Sequence, residues 1–178
     1  IESFTILPNL IDIGRRAFCG SIKTLEFANN CKLRQIGFES FSCMSITSIT
    51  IPQYIKIIGK GAFSACKNLK TVIFSPNSEL TLISNNAFSY LPIESITIPQ
   101  HVKIIDEDAF KGCEKLKTVI FSPNSELILI SKNAFASLPI ESITVPQHVE
   151  TIGENAFQGC KNLQNILFSN NSELCSID

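Results

Sequence analysis

Ile49-Thr50-Ile51-Pro52-Gln53, Ile96-Thr97-Ile98-Pro99-Gln100 and Ile143-Thr144-Val145-Pro146-Gln147 align without a gap and stand 47 residues apart both times. Each 47-residue span holds two related halves, one carrying Leu69-Lys70-Thr71-Val72-Ile73-Phe74 and the other Ile93-Glu94-Ser95-Ile96-Thr97-Ile98. This six-residue pattern is apolar at its first, fourth and sixth places, and it begins at 1, 22, 46, 69, 93, 116, 140 and 163. Eight strand candidates therefore recur every 21 to 24 residues. That interval lies within the roughly 20 to 29 residues of short strand-and-turn repeats.

A second marker runs in phase. Phe18, Phe41, Phe63, Phe88, Phe110, Phe135 and Phe157 each follow Ala, or Ser40 in one case, at intervals of 22, 23 or 25 residues. A solenoid places equivalent side chains in a column. With parallel strands about 4.8 Å apart, these rings are expected to stack into an internal spine. An aromatic stripe that binds a ligand is the less favoured reading, because Ala-Phe within an apolar repeat is ordinary core.

The halves differ in how they leave the strand. One turns through Pro99-Gln100-His101-Val102, the other through Phe121-Ser122-Pro123-Asn124-Ser125-Glu126-Leu127. Proline fixes φ and cannot donate to a ladder, so it closes each strand. Pro-Asn-Ser supplies a tight turn in which a side chain bonds its own backbone. The stretch Phe110-Lys111-Gly112-Cys113-Glu114-Lys115-Leu116 is too short and Gly-broken for a long helix, so a single helical or 3₁₀ turn is expected there. The unit reads strand, turn, short extended run, short helical turn. It is a rung of a right-handed solenoid rather than a βαβ enzyme domain.

Composition agrees with a packed chain. The 178 residues are 44% hydrophobic and 17% charged with a formal net charge of -1, unlike a disordered tail. Fifteen basic against 16 acidic residues give no footprint for nucleic acid or a polybasic membrane patch. No apolar run approaches the roughly 20 residues of a membrane span, and the opening Ile1-Glu2-Ser3 does not read as a signal peptide.

The run Ile46 to Cys66, with Pro52, Ile58-Gly59, Ala62-Phe63 and Cys66 in register, resembles the BspA-like leucine-rich repeat family, whose unit reads about L-x-x-I-x-L-P-x-x-L-x-x-I-G-x-x-A-F-x-x-C. The resemblance covers essentially the whole chain. Alternate units depart from it: they carry Ser-Pro-Asn-Ser-Glu-Leu in place of Pro-x-x-Leu and lack the Gly and Cys, and the first unit is shortened. The expected architecture is one solenoid over residues 1–178, an α/β but mainly β leucine-rich repeat array. Parallel strands would form one face, with short turns or 3₁₀ helices opposite. The resemblance implies a cell-surface or secreted protein of mucosal bacteria or parasitic protozoa, associated with adhesion to host proteins or other cells and often antigenic.

Little in the chain points to chemistry. Cys66, Cys113 and Cys160 repeat at 47 residues, two rungs or roughly 10 Å apart. Disulfide geometry requires Cα atoms within about 7 Å, so they cannot pair with one another and read as small buried hydrophobes. Seven cysteines is an odd number; Cys19, Cys31, Cys43 and Cys175 lie off the register, and a Cys19–Cys43 disulfide on adjacent rungs stays open. No C-x-x-C pair suggests zinc. His101 and His148 share a place with Tyr54 and Asn9, and so read as solvated turn residues rather than ligands or catalysts. No nucleophile elbow, carboxylate pair or phosphate loop appears, so neither enzyme activity nor a metal or cofactor is expected.

Recognition would fall to the outward strand places. The fifth place reads Thr5, Glu26, Thr50, Ile73, Thr97, Ile120, Thr144, Leu167, and the second reads Glu2, Lys23, Thr47, Lys70, Glu94, Lys117, Glu141, Gln164. Cross-strand charge pairing and β-propensity would account for these columns without a ligand. The sharper reading is a mildly apolar, charge-neutral platform for a protein partner, formed by Thr50, Ile73, Thr97, Ile120, Thr144 and Leu167 with Lys70, Glu94, Lys117 and Glu141. Both ends read as lacking a polar cap, which suits a piece of a longer array or an end-to-end homodimer. Asn170-Asn171-Ser172 is the one glycosylation sequon. A surface adhesion module is the favoured function and an intracellular scaffold the alternative, separable by a signal peptide or anchor in the complete reading frame.

Overall fold

The computed structural model describes residues 2–18, Gly20 and 22–178. Eight four-residue strands, β1 (Ser3–Ile6), β2 (Thr24–Phe27), β4 (Ser48–Ile51), β6 (Thr71–Phe74), β8 (Ser95–Ile98), β10 (Thr118–Phe121), β12 (Ser142–Val145) and β14 (Asn165–Phe168), head eight successive rungs. All lie within the six-residue windows marked by the sequence. Between them run seven two-residue strands: β3 (Gln35–Ile36), β5 (Ile57–Ile58), β7 (Leu82–Ile83), β9 (Ile104–Ile105), β11 (Leu129–Ile130), β13 (Thr151–Ile152) and β15 (Ser176–Ile177). These seven join into one parallel sheet in which Ile36, Ile58, Ile83, Ile105, Ile130 and Ile152 register as a buried column.

The phenylalanines form the spine that their spacing predicts. Rings from Phe18 through Phe157 stack one on the next with centroids 5.4 to 5.9 Å apart and planes within 23°. Phe74 and Phe121 meet the spine edge-on at 6.4 Å, against Phe88 and Phe135. Near-parallel stacking at each rung and edge contacts at alternate rungs are both favourable ring arrangements, and the area buried by each phenyl is the larger contribution.

The expected helical turn, and with it the α/β description, is corrected. No helix occurs among the described residues. Each spine Phe is flanked two residues before and two after by left-handed backbone: Glu39 (φ 49°) and Cys43 (58°) around Phe41, Asn86 (57°) and Tyr90 (59°) around Phe88, Asp108 (56°) and Gly112 (70°) around Phe110. Left-handed residues four apart cannot lie in one right-handed turn. Instead, alternate amides bond forward to the next rung, as in Gly61 N–H to Asn85 O, Phe63 N–H to Ala87 O and Ala65 N–H to Ser89 O, at 2.9 to 3.0 Å. The same trio recurs for the rungs of Phe41, Phe88, Phe110 and Phe135. The side opposite the four-residue strands is thus an unbroken ladder.

The glycines of Ile58-Gly59 and Ile152-Gly153 serve close approach to the preceding rung. Gly59 N–H donates to Ile36 O at 2.8 Å, and a Cβ on Gly59 would lie 2.6 Å from that oxygen. Only hydrogen fits there.

Candidate functional site

The four-residue strands do not form one sheet. They bond in pairs, β1 with β2, β4 with β6, β8 with β10 and β12 with β14. Among the described residues no ladder joins β2 to β4, β6 to β8 or β10 to β12. The strand face therefore carries three seams, one every 47 residues.

Each seam opens into a groove, with cavity volumes of about 720 Å³ at β2/β4, 1040 Å³ at β6/β8 and 970 Å³ at β10/β12. The turns set its walls. In Ser75-Pro76-Asn77-Ser78 and Ser122-Pro123-Asn124-Ser125 the proline and asparagine are exposed, and Asn77 and Asn124 are left-handed at φ 55°. Buried Ser78 and Ser125 accept from the Leu80 and Leu127 amides through Oγ at 3.4 Å, the self-bonded turn expected of this sequence. In the intervening turns Pro99 and Pro146 are buried, so the Pro-Gln-His turn sits lower. The β6/β8 groove thus lies between the Pro76–Asn77 and Pro123–Asn124 turns, with Gln100 and His101 between them. Sequence reasoning missed these turn residues as part of the face; the available signal was the alternation of 22 and 25 residues between spine phenylalanines.

The expected strand-face residues do come together. Thr50, Thr97 and Thr144 are exposed, and Ile73, Ile120 and Leu167 are 52, 51 and 52% exposed. The strand neighbours Ile49, Val72, Ile96, Val119 and Ile143 are buried, so the alternation holds from β4 to β12, whereas all four residues of β14 are exposed. Lys70, Glu94, Lys117 and Glu141 are exposed in the second column. Cross-strand pairing does not absorb them: in this column Lys23 bonds Glu2 at 2.9 Å, whereas these four make no ion pair within the described residues.

Other candidates have structural roles. His101 Nδ1 lies 2.8 Å from Glu126 Oε1 and His148 Nδ1 lies 3.0 Å from Glu173 Oε1, so each histidine ties its turn to the next rung. Cys66 and Cys113 are buried, as expected, but each thiol also donates to a spine carbonyl of the preceding rung, Phe41 O at 3.0 Å and Phe88 O at 3.1 Å. Burial pushes both thiols up to about 12, against which bonds from backbone groups pull only partly. Half-buried Cys160 repeats the bond to Phe135 O at 3.2 Å, and its thiol is raised for the same reason. The Cys19–Cys43 disulfide falls on Cys19, which lies outside the described residues.

Among the described residues no helix is long and apolar enough to cross a membrane. No group of three or more His, Cys, Asp or Glu suited to a metal occurs among the described residues.

The chain is similar in structure to the pneumococcal vaccine antigen PcpA, with 33% sequence identity and a TM-score of 0.74 over 82% of this chain. It spans 37% of that chain's length. A leucine rich cell surface protein from Faecalibacterium prausnitzii A2-165 shares the fold at 21% identity and a TM-score of 0.50, over 95% of this chain and 70% of that one. No curated protein matches. The BspA type leucine rich repeat region matches in six copies over residues 1–88 and 81–177. With the repeat, the spine and the Pro, Ile-Gly, Ala-Phe and Cys positions all in register, the chain belongs to the BspA type leucine-rich repeat family.

Proposed function

We propose that this chain is a non-enzymatic protein-recognition module, displayed at a cell surface or secreted, which binds a protein on host or neighbouring cells through its strand face. The observation that carries the reading is the line of half-exposed Ile73, Ile120 and Leu167 alternating with exposed threonines, on a face whose other exposed strand residues from β4 to β12 are small and polar. Aliphatic side chains in a row on an otherwise packed solenoid are costly in water and gain from a partner. The stacked interior holds the row rigid, so little order is lost on binding. Family membership and the likeness to a protein named as a vaccine antigen support the surface setting.

Binding of the labelled chain to cultured epithelial cells tests the reading. Ile73→Glu with Ile120→Glu is expected to reduce binding at least about tenfold, as loss of a buried aliphatic contact does, with an unchanged circular dichroism spectrum. Full binding by the folded double variant overturns the assignment.

A further inference from the structure

The strand face alternates from rung to rung in three respects at once. Rungs headed by β6 and β10 carry a basic residue, an aliphatic one and a raised turn: Lys70 with Ile73, and Lys117 with Ile120. Rungs headed by β8 and β12 carry an acidic residue, a threonine and a lowered turn: Glu94 with Thr97, and Glu141 with Thr144. An alternating series of four is converted into its complement when read backwards. A second copy laid face to face, related by a two-fold axis parallel to the strands and lying between β8 and β10, meets this face in reversed rung order. Lys70 then opposes the other copy's Glu141 and Glu94 opposes its Lys117, while each isoleucine faces a threonine. The raised Pro123–Asn124 turn of one copy lies over the groove of about 1040 Å³ at β6/β8 of the other, and the Pro76–Asn77 turn over the groove of about 970 Å³ at β10/β12.

We propose that the partner recognised by this face is a second copy of the chain, so that recognition is homophilic. The proposal rests on the strand face being the recognition surface and names its occupant. Charge complementarity carries it: the four charges are exposed and free of ion pairs among the described residues, and one two-fold operation pairs all of them. A two-fold interface uses the same patch on both partners, which requires a self-complementary pattern of this kind. Exposed charge pairs set register and orientation more than affinity. The face is four residues by about six rungs, so it sits among small, transient interfaces that multivalent display strengthens.

Charge exchange tests this. Lys70→Glu with Lys117→Glu makes the column wholly acidic, and Glu94→Lys with Glu141→Lys makes it wholly basic. In sedimentation velocity over a concentration series, the natural chain is expected to dimerise weakly. Each variant alone is expected to associate at least about tenfold more weakly, because four attractions become repulsions, and an equimolar mixture of the two regains association. The same pattern is expected for clustering of coated beads. A natural chain that stays monomeric to its solubility limit overturns the proposal. So does a mixture that associates no better than either variant, or single variants that associate as the natural chain does. If those results are negative while Ile73→Glu with Ile120→Glu still abolishes cell binding, the face recognises a different protein and only the homophilic reading falls.

Discussion

At Cys66 and Cys113 the sulfur fills a small apolar site and donates to a buried carbonyl that no other backbone amide reaches. Cys113→Ala therefore leaves Phe88 O without its donor, and a cost of about 1–3 kcal/mol is expected from chemical denaturation. The raised thiols also make stability depend on pH. In the folded chain both stay protonated up to about 12, whereas exposed thiols ionise near 9.0. Between those values the folded state binds more protons than the unfolded one, so stability is full below about 9 and falls as pH rises towards 12. The melting temperature is expected to drop over that window, and the drop to shrink in the Cys66→Ala, Cys113→Ala variant. Iodoacetamide at pH 8 is expected to leave both residues unlabelled until denaturant is added. At Gly59, a Cβ 2.6 Å from Ile36 O forces two rungs apart. Gly59→Ala should cost roughly 1–3 kcal/mol, read from the denaturation midpoint.

Among the elements, the ring column dominates. Phe110 is fully buried between Phe88 and Phe135, so Phe110→Ala is expected to cost about 3–5 kcal/mol, and Phe110→Leu, which keeps more of the volume, clearly less. Urea denaturation monitored by circular dichroism separates the two. The strands and this column were legible in the sequence because burial imposes apolar residues at fixed places, and a 47-residue period repeats those places visibly. The turn beside the column was not. Its left-handed positions hold Glu39, Ala65, Tyr90 and Ser137 as well as Gly112 and Asn133, so no single residue type announces it. The conformation is set instead by bonds to the following rung, and a window along the chain cannot see those bonds. The second sheet was legible only as an extended run, since two residues per strand are too few to show alternation.

For the whole molecule, the ladders differ between sides. The seven-stranded sheet runs unbroken from the rung of β2 to that of β14, and the turn ladder from the turn of Phe18 to that of Phe157, whereas the four-residue strands bond two by two. Hydrogen exchange is expected to show slow amides at Ile58, Ile83, Ile105 and Ile130. It is expected to be faster for strand amides that border a seam, and mass spectrometry of peptides spanning β6 and β8 checks this. Where the face lies was readable from residue spacing alone. Its division into pairs was not, because the strand residues Ser48-Ile49-Thr50-Ile51 and Thr71-Val72-Ile73-Phe74 do not say which neighbour each will bond.

That division has a mechanical consequence. The turn side, bonded from each turn to the next, resists lengthening like the bound edge of a book, and the strand pairs are stiff leaves fixed to it. When the array flexes away from its strand side, the strain gathers in the three unbonded gaps, and the leaves fan apart without losing a ladder bond. Anything seated across a gap would hold two leaves together and so stiffen the array against that flexing.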